Sequence, residues 1–156
     1  MVAEKFGLTN FDNPRLAPLD LTDARGKSHH FILQVHLFMP GVAVDAVEIR
    51  EGEPKGYRFQ IIGDPEDDIL ALSGRLVERL RRALAMTHIE KDKQFGWRIK
   101  DQVVRGQITW DENMDGRTPL AVIDGHEIPW EEVGRMLMSF EGFQFKLEIK
   151  DRSEEL

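Results

Sequence analysis

Hydrophobic and polar residues alternate along the first third of the chain, a period of two that is typical of half-buried β-strands. The longest run, 29–39, places alternate apolar residues on one face: Phe31, Leu33, Val35, Leu37 and Met39. Shorter runs flank it, with turn sequences between them: 19–22, 42–50 and 57–62. This pattern predicts an antiparallel β-meander over 19–62, after an irregular segment over 1–18.

The period changes to three and four residues beyond Ile62, which indicates an amphipathic helix. Its apolar stripe comprises Ile69, Leu72, Leu76, Leu80, Ala83 and Leu84. Asp64 and Pro65 are typical of a helix start, and basic residues load the other end, where the helix dipole favours them. The pattern predicts a long helix over about 65–88.

The remainder of the chain combines short alternating runs with one more helix. Strands are predicted over 96–100, 103–110, 119–123 and 143–150. Asp124-Gly125 is a two-residue hairpin turn, and a short helix over about 129–140 ends at Gly142. We therefore predict an α+β fold of antiparallel β-meanders, with both helices packed on one side of the sheet. The whole chain, 1–156, is predicted to be a single domain with a frayed tail over 151–156.

The composition is that of an ordinary globular protein, with 41% hydrophobic and 31% charged residues. A formal net charge of -7 argues against general attraction to nucleic acid or to an anionic membrane, although a local basic patch remains compatible with it. The chain contains no cysteine, which excludes disulfides, thiolate metal sites and thiol catalysis. No apolar signal or membrane-spanning run is found, so a cytoplasmic location is expected.

The stretch 124–132, DGHEIPWEE, gathers a histidine, four carboxylates and a tryptophan. One hypothesis makes His126 the acid–base partner of Glu127 or Glu131. Adjacent strand residues point to opposite faces, however, and the stretch supplies no nucleophile. We favour a structural interpretation, in which a hairpin turn leads into a helix start. His126, Trp130 and Glu131 are kept as candidates for the lining of a pocket.

Two other polar groups suggest metal binding, and geometry argues against both. His29 and His30 project to opposite faces of one strand, while His30 and His36 lie about 20 Å apart, too far to share an ion. The acidic residues of 64–68 lack the alternating oxygen ligands of a calcium loop and suit a helix cap better. We predict no metal and no cofactor.

A row of arginines is the candidate contact surface. Arg75, Arg79 and Arg82 follow one line of the long helix, with Arg81 further round. The row could receive an acidic partner, a phosphate or RNA, but Glu78 can pair with Arg82 four residues on. A solvated, ion-paired helix face is therefore the competing interpretation.

Three stretches together resemble a known domain family: YRFQIIGDPEDDILALSGRLVERLRRAL (57–84), VVRGQITWDENMDGRTPLAVIDG (103–125) and WEEVGRMLMSFEGFQFKLEI (130–149). The family is an uncharacterised bacterial one of unknown function, and the resemblance covers most of the chain from about residue 20. In that family the domain often follows a short cysteine-rich zinc-binding segment, from which this cysteine-free chain departs. The resemblance implies no catalytic residue.

Two classes of function follow from the sequence. We favour a non-catalytic binding or scaffold module that uses protein contacts, through the arginine row or an open sheet edge. The alternative is a small-ligand-binding protein or an enzyme whose site assembles across the sheet, with His36, His126, Trp130 or Glu131 in its lining. The expected partner is another protein or a second copy of the chain, rather than nucleic acid or a membrane.

Overall fold

The structure, a computed structural model, describes residues 18–38 and 40–156. The segment predicted to be irregular, 1–18, lies outside the described residues apart from Pro18, and so does Met39 at the end of the predicted second strand. None of the helices in these two ranges is long and apolar enough to cross a membrane.

The chain forms two compact units, each with its own hydrophobic core. Among the described residues, unit 1 comprises 18–85 and 150–156, and unit 2 comprises 86–149. The predicted α+β class is confirmed. The strands form three antiparallel sheets rather than one, however, with four, two and three members. The prediction of a single domain over 1–156 concerns cooperative folding and stays a prediction.

Unit 1 is built on the predicted meander, in the order β1-β2-β3-β4. Its strands are β1 Leu19–Thr22, β2 Ser28–Phe38, β3 Gly41–Arg50 and β4 Glu53–Gly63. Alternation along β2 puts Phe31, Leu33 and Val35 on one face, where they are buried against the following helix. The register places Ala46 opposite Leu33 on one side and opposite Phe59 on the other. The predicted inward face of the meander is therefore the core of unit 1.

Helix α1 runs from Ile69 to Ala85 and is shorter than the predicted 65–88. The acidic residues before it form a tight turn: Asp67 Oδ2 accepts a hydrogen bond from the Asp64 N–H at 2.8 Å, and Asp68 Oδ1 accepts one from the Leu70 N–H at 3.0 Å. Asp68 thus does the capping that the sequence assigned to Asp64. The helix buries Leu72, Leu76, Leu80 and Leu84, as the periodicity predicted.

Unit 2 has two small sheets and a second helix. Its elements are β5 Ile89–Asp92, β6 Gly96–Ile99, β7 Gln107–Trp110, β8 Pro119–Ile123, β9 His126–Pro129, α2 Trp130–Leu137 and a 3₁₀ turn Met138–Phe140. The core gathers Ile89, Ile123, Ile128 and Met136. Gly142 ends the helical segment with a φ of +87°, the left-handed conformation expected of this glycine.

The prediction of a last strand over 143–150 is wrong for this structure. Residues 143–150 form no strand, turn or helix, and the four apolar residues expected inside are exposed: Phe143, Phe145, Leu147 and Ile149. The alternation is real, but alternation alone does not make a strand, which also requires a regular ladder of backbone hydrogen bonds.

Burial of the α1 stripe predicts that Leu76→Asp unfolds unit 1. Leu76 is fully buried, so the variant loses about 2–5 kcal/mol for the leucine side chain and adds the larger cost of an unpaired buried charge, against a typical stability of about 5–15 kcal/mol. Leu70→Asp is the matched control, because Leu70 lies on the exposed side of the same helix. Urea unfolding followed by circular dichroism at 222 nm measures both variants.

The same experiment tests cooperativity between the units. All three tryptophans lie in unit 2, at positions 97, 110 and 130. A single domain requires tryptophan fluorescence and circular dichroism to report coincident transitions. Native circular dichroism in Leu76→Asp would show that the stripe is wrongly assigned.

Candidate functional site

A buried charged cluster joins strands β2, β3 and β4 of unit 1 to the turn after β1. His29 Nδ1 lies 2.7 Å from Glu48 Oε2, and His29 Nε2 lies 2.7 Å from Asp23 Oδ2. Arg50 Nε donates to Glu48 Oε2 at 3.1 Å, and the backbone N–H of Tyr57 donates to Glu48 Oε1 at 3.0 Å. Both His29 and Glu48 are almost completely buried. The polar atoms of the cluster are thus satisfied within the chain.

The cluster is held in its charged form. The hydrogen bond to Glu48, joined by that to Asp23, raises the pKa of His29 against the opposing effect of burial. Burial opposes ionisation of Glu48 and Asp23, but hydrogen bonds from His29 and from backbone N–H groups outweigh it and lower both pKa values. Since both ring nitrogens of His29 face carboxylates, neither is available to take a proton from a substrate. We therefore interpret this cluster as structural.

A second polar group lies on the opposite face of the same sheet. His36 Nε2 lies 2.9 Å from Asp45 Oδ2, and the Gln60 side-chain amide donates to Asp45 Oδ1 at 2.8 Å. Asp45 is buried, whereas about a third of the His36 side chain is exposed. The three predicted metal candidates thus occupy separate places, because His29 binds Glu48 and His30 binds Asp20. Within the described ranges, no three metal-binding side chains are grouped around a common point.

The turn at the start of DGHEIPWEE has a role that the sequence did not reveal. Asp124 and Gly125 have φ values of 51° and 78°, as a two-residue hairpin turn requires. The Asp124 carboxylate is also buried, and it accepts hydrogen bonds from the backbone N–H groups of His88 and Ile89 and contacts His88 Nδ1 at 3.1 Å. Burial raises the pKa of Asp124, but these hydrogen bonds lower it by more. Asp124 therefore fixes the entry into β5, 36 residues earlier in the chain.

The three candidates for a pocket lining are engaged separately. His126 packs against Trp97 with ring centroids 4.6 Å apart and planes tilted by 42°, and Lys91 Nζ lies 4.7 Å from the centroid of the same indole. Trp130 is half exposed at the start of α2. Glu131 is 89% exposed and lies near Arg135 on the helix surface, at 3.5 Å. The structure does not bring these three side chains together, and their role as a pocket lining stays a prediction.

The predicted arginine row, in contrast, lies along one feature of the surface. Arg75, Arg79 and Arg82 line an open groove of about 650 Å³ beside α1, whereas Arg81 lies at a different depression near β1. The remaining lining residues are Ile61, Ala71, Gly74, Glu78, Ser153 and Glu155. We call this feature the arginine groove. Two of its lining residues belong to the C-terminal tail, residues 151–156.

The C-terminal tail, which the sequence predicted to be frayed, is held in this groove. Arg82 forms a two-pronged ion pair with Glu155, in which Nε and Nη2 each donate to a carboxylate oxygen at 2.8 Å. Arg79 donates to the Glu154 carbonyl at 2.6 Å and to the Gln60 carbonyl at 2.7 Å. The hydrogen bond from Arg82 lowers the pKa of Glu155. The sequence could not predict these contacts, because they join positions more than seventy residues apart.

Comparison with known domain families divides the chain close to the boundary between its two units. Residues 12–85 match a domain of unknown function (DUF7686), and residues 88–154 match a second domain of unknown function (DUF7713). These two matches confirm the resemblance to uncharacterised domains of unknown function. A search of curated proteins and a search of solved structures each found no match.

The charged cluster around His29 predicts that the stability of unit 1 falls on both sides of a mildly acidic optimum. The raised pKa of His29 adds stability below about pH 6.5, and this is lost as the pH rises through the folded-state value. The lowered pKa values of Asp23 and Glu48 add stability above about pH 4, and this is lost on acidification. Urea midpoints from circular dichroism between pH 3 and 9 measure the profile.

Replacement of His29 distinguishes the contribution of this cluster to the pH dependence of stability from that of other ionisable groups. His29→Gln should be less stable by about 3 kcal/mol near pH 6, because it removes the cation between Asp23 and the buried Glu48 and leaves Glu48 with Arg50 alone. It should also flatten the alkaline side of the stability profile. His30→Gln, at an exposed histidine on the same strand, should keep the wild-type profile. An alkaline decline that survives in His29→Gln would contradict the assignment.

The buried carboxylate of the hairpin turn predicts a large effect of Asp124→Asn. Asparagine tolerates the positive φ, so the turn is retained, but the charge-assisted hydrogen bonds to His88 and Ile89 weaken and stability falls by about 2–3 kcal/mol. Urea unfolding followed by tryptophan fluorescence reports on unit 2. Asp115→Asn is the control, since Asp115 accepts its hydrogen bond in an exposed turn. Equal losses in the two variants would show that burial of Asp124 is unimportant.

Proposed function

We propose that this chain is a non-catalytic binding module whose arginine groove receives an acidic segment of a partner protein. The observation that carries the proposal is the occupant of the groove in this structure, the Glu154-Glu155 pair of the chain itself. A groove that holds one acidic segment with a two-pronged ion pair has the chemistry to hold another. The bacterial origin and cytoplasmic location expected from the sequence form part of the same proposal.

Two of the arginines are prepared for carboxylate recognition. Arg79 is fixed by the Gln60 carbonyl and lies over the Phe59 ring, with its guanidinium carbon 5.5 Å from the centroid. Burial lowers the pKa of Arg79, which nevertheless stays cationic at any physiological pH. Arg82 is more than half exposed, and it presents the planar fork that matches a carboxylate, as in its two-pronged pair with Glu155. The pair combines one donor anchored on the sheet and one exposed donor.

Arg75 leaves a positive charge for an incoming ligand. It lines the groove, yet it forms no ion pair with an acidic side chain in the part of the chain that the structure describes. The remainder of the surface is acidic, with a net charge of -7 for the whole chain. An acidic partner is therefore repelled in most orientations and attracted in the one that faces the groove, which favours specificity over affinity.

The occupant that we propose is a protein segment rather than nucleic acid. The groove has Glu78 in its lining, and the net charge of the chain disfavours a polyanion with many phosphates. The hydrogen bond from Arg79 to the Glu154 carbonyl supports recognition of a peptide main chain as well as of side chains. A second copy of this chain could supply the segment through its own C-terminal tail.

A ligand-binding or enzymatic function is the second candidate, and one observation favours it. Asp45 is buried, accepts a hydrogen bond from Gln60 and lies 2.9 Å from Nε2 of the partly exposed His36, which places a carboxylate beside an imidazole. A thermal-shift screen of His36→Gln and the wild-type chain against metabolites and divalent metals tests this alternative. A ligand that stabilises only the wild-type chain would support it.

The binding proposal predicts that weakening the tail contact opens the groove. In Glu154→Ala/Glu155→Ala, a fluorescent synthetic peptide with the sequence of residues 150–156 should bind at least ten times more tightly than to the wild-type chain, because the internal competitor is weakened. Fluorescence anisotropy measures the affinity, which should fall as salt rises from 0.05 to 0.5 M. Hexaglutamate, measured in the same way, tests whether negative charge alone is sufficient for binding to the groove.

Two arginines of α1 provide a test variant and a matched control for this experiment, because Arg82 lines the groove and Arg81 does not. Arg82→Glu in the same background should abolish peptide binding, whereas Arg81→Glu makes an identical change of charge on the same helix, outside the groove. Reversing the charge at Arg82 should leave the fold intact, since the side chain is more than half exposed. Equal losses with Arg81→Glu, or no gain on weakening the tail, would overturn the proposal.

A further inference from the structure

The loop between β7 and β8 has the spacing of oxygen-bearing side chains that calcium loops use. Residues 111–116 read DENMDG. Oxygen-bearing side chains occupy the first, third and fifth positions and a glycine the sixth: Asp111, Asn113, Asp115 and Gly116. Calcium loops take oxygen ligands from these three positions and a backbone carbonyl from the seventh, with a glycine at the sixth for a sharp turn. Gly116 has a φ of +81°, which such a turn requires. The acidic residues of 64–68 lack this alternation. We call residues 111–117 the DENMDG loop.

Hydrogen bonds hold the DENMDG loop and leave carboxylate oxygens available. The Asp111 N–H donates to the Thr118 carbonyl at 3.0 Å, which closes the loop. Asp111 Oδ1 accepts a hydrogen bond from the Asn113 N–H at 3.0 Å. Asp115 Oδ1 accepts one from the Arg117 N–H at 3.1 Å. Each carboxylate thus uses one oxygen within the loop and keeps its second oxygen for another partner.

Asp111 differs from the other buried carboxylates in having no cation within the chain. The residue is only 8% exposed. Three more carboxylates are buried among the described residues, and each lies 3.1 Å or less from a histidine nitrogen: Asp45, Glu48 and Asp124. Asp111 forms no ion pair and no hydrogen bond to a side chain in the same part of the chain. Since buried charges are normally paired or coordinate a metal ion, this carboxylate is suited to a cation from solution.

We propose that the DENMDG loop binds a calcium ion. The Asp111 and Asp115 carboxylates, the Asn113 amide oxygen and the Arg117 backbone carbonyl supply the protein ligands. All four donors are oxygens, and residues 111–117 contain no histidine or cysteine, which favours a hard cation over a transition metal. The ion neutralises Asp111 and joins the end of β7 to the start of β8. The site lies in unit 2 and is independent of the arginine groove.

The composition of the loop limits its affinity for calcium. Position twelve, which is a bidentate glutamate in calcium loops of high affinity, is Val122. Water therefore completes the coordination, and we expect a dissociation constant of about 10⁻⁴–10⁻³ M. Magnesium demands a stricter geometry and dehydrates reluctantly, so it should bind more weakly. The absence of a group of three acidic or histidine side chains within the described ranges does not concern this loop, because the side chain at its third position is an amide.

Trp110 makes the site observable by luminescence. It directly precedes the loop, and a Cβ added at Gly116 would lie 3.9 Å from its indole ring. Terbium(III) replaces calcium at oxygen sites and emits when an excited indole lies close to it. Titration of the full chain with terbium should give this emission, and calcium should displace the terbium at concentrations at least ten times lower than magnesium does. Trp110→Phe should remove most of the emission and leave the calcium affinity, measured by calorimetry, within two-fold of the wild-type value.

Two variants of the loop and one matched control test which residues bind the ion. Asp111→Asn keeps an acceptor for the Asn113 N–H but removes the charge, so calcium binding should weaken at least ten-fold. Asn113→Ala should weaken it at least three-fold and leave the fold intact, because the Asn113 side chain is exposed and forms no hydrogen bond within the described ranges. Asp92→Asn is the control: Asp92 also accepts backbone hydrogen bonds in a turn of unit 2, but without the alternating spacing.

Stability gives a second measurement that does not depend on terbium. Calcium should raise the urea midpoint followed by tryptophan fluorescence in the wild-type chain and in Asp92→Asn, and it should have little effect in Asp111→Asn or Asn113→Ala. A wild-type chain without terbium emission, or with emission that calcium does not displace, would overturn the proposal. Equal losses of affinity in Asp92→Asn and Asp111→Asn would overturn it as well, by showing that cations bind generally to an acidic surface with no preference for this loop.

Discussion

The packing of the leucine stripe of α1 on one face of the four-stranded sheet determines where the other features of unit 1 lie. Leu72, Leu76 and Leu80 are fully buried, so the rotation of the helix about its axis is fixed. Arg75, Arg79 and Arg82 lie beside this stripe on the helix surface, so they must project sideways and outward. Arg79 reaches the edge of the sheet and binds a β4 carbonyl, while Arg82 reaches only the C-terminal tail. The arginine groove is thus a consequence of core packing, with no requirement for a special loop.

Local pattern predicted the elements that depend on local interactions. The period of α1, the turn at Asp124-Gly125 and the stop at Gly142 could all be read from the sequence, because they follow from side-chain spacing and backbone preference. The residue at which α1 begins was harder to predict from the sequence, because Asp64, Asp67 and Asp68 are equally suitable as helix caps. Only the geometry of the turn before the helix selects among them. Strand β5 was missed because its single buried residue, Ile89, has no apolar partner at a spacing of two.

Pairs of charges distant in sequence were not predictable. Glu48 reads as one acidic residue on a strand, yet it is buried and joins His29, Arg50 and the backbone of β4. Asp124 reads as a turn residue, yet its carboxylate organises the chain at His88. In both cases the polar group is buried and satisfied, which removes it from consideration as a reactive site. An arginine without an acidic partner among the described residues, such as Arg75, is the kind of group that remains available to a ligand.

The failure of the last predicted strand follows from a requirement that sequence pattern does not contain. Alternation shows which side chains favour a common buried face, whereas a strand also requires regular backbone pairing with a neighbour. Phe145 belongs to an alternating run, yet its side chain is 90% exposed and its backbone forms no strand.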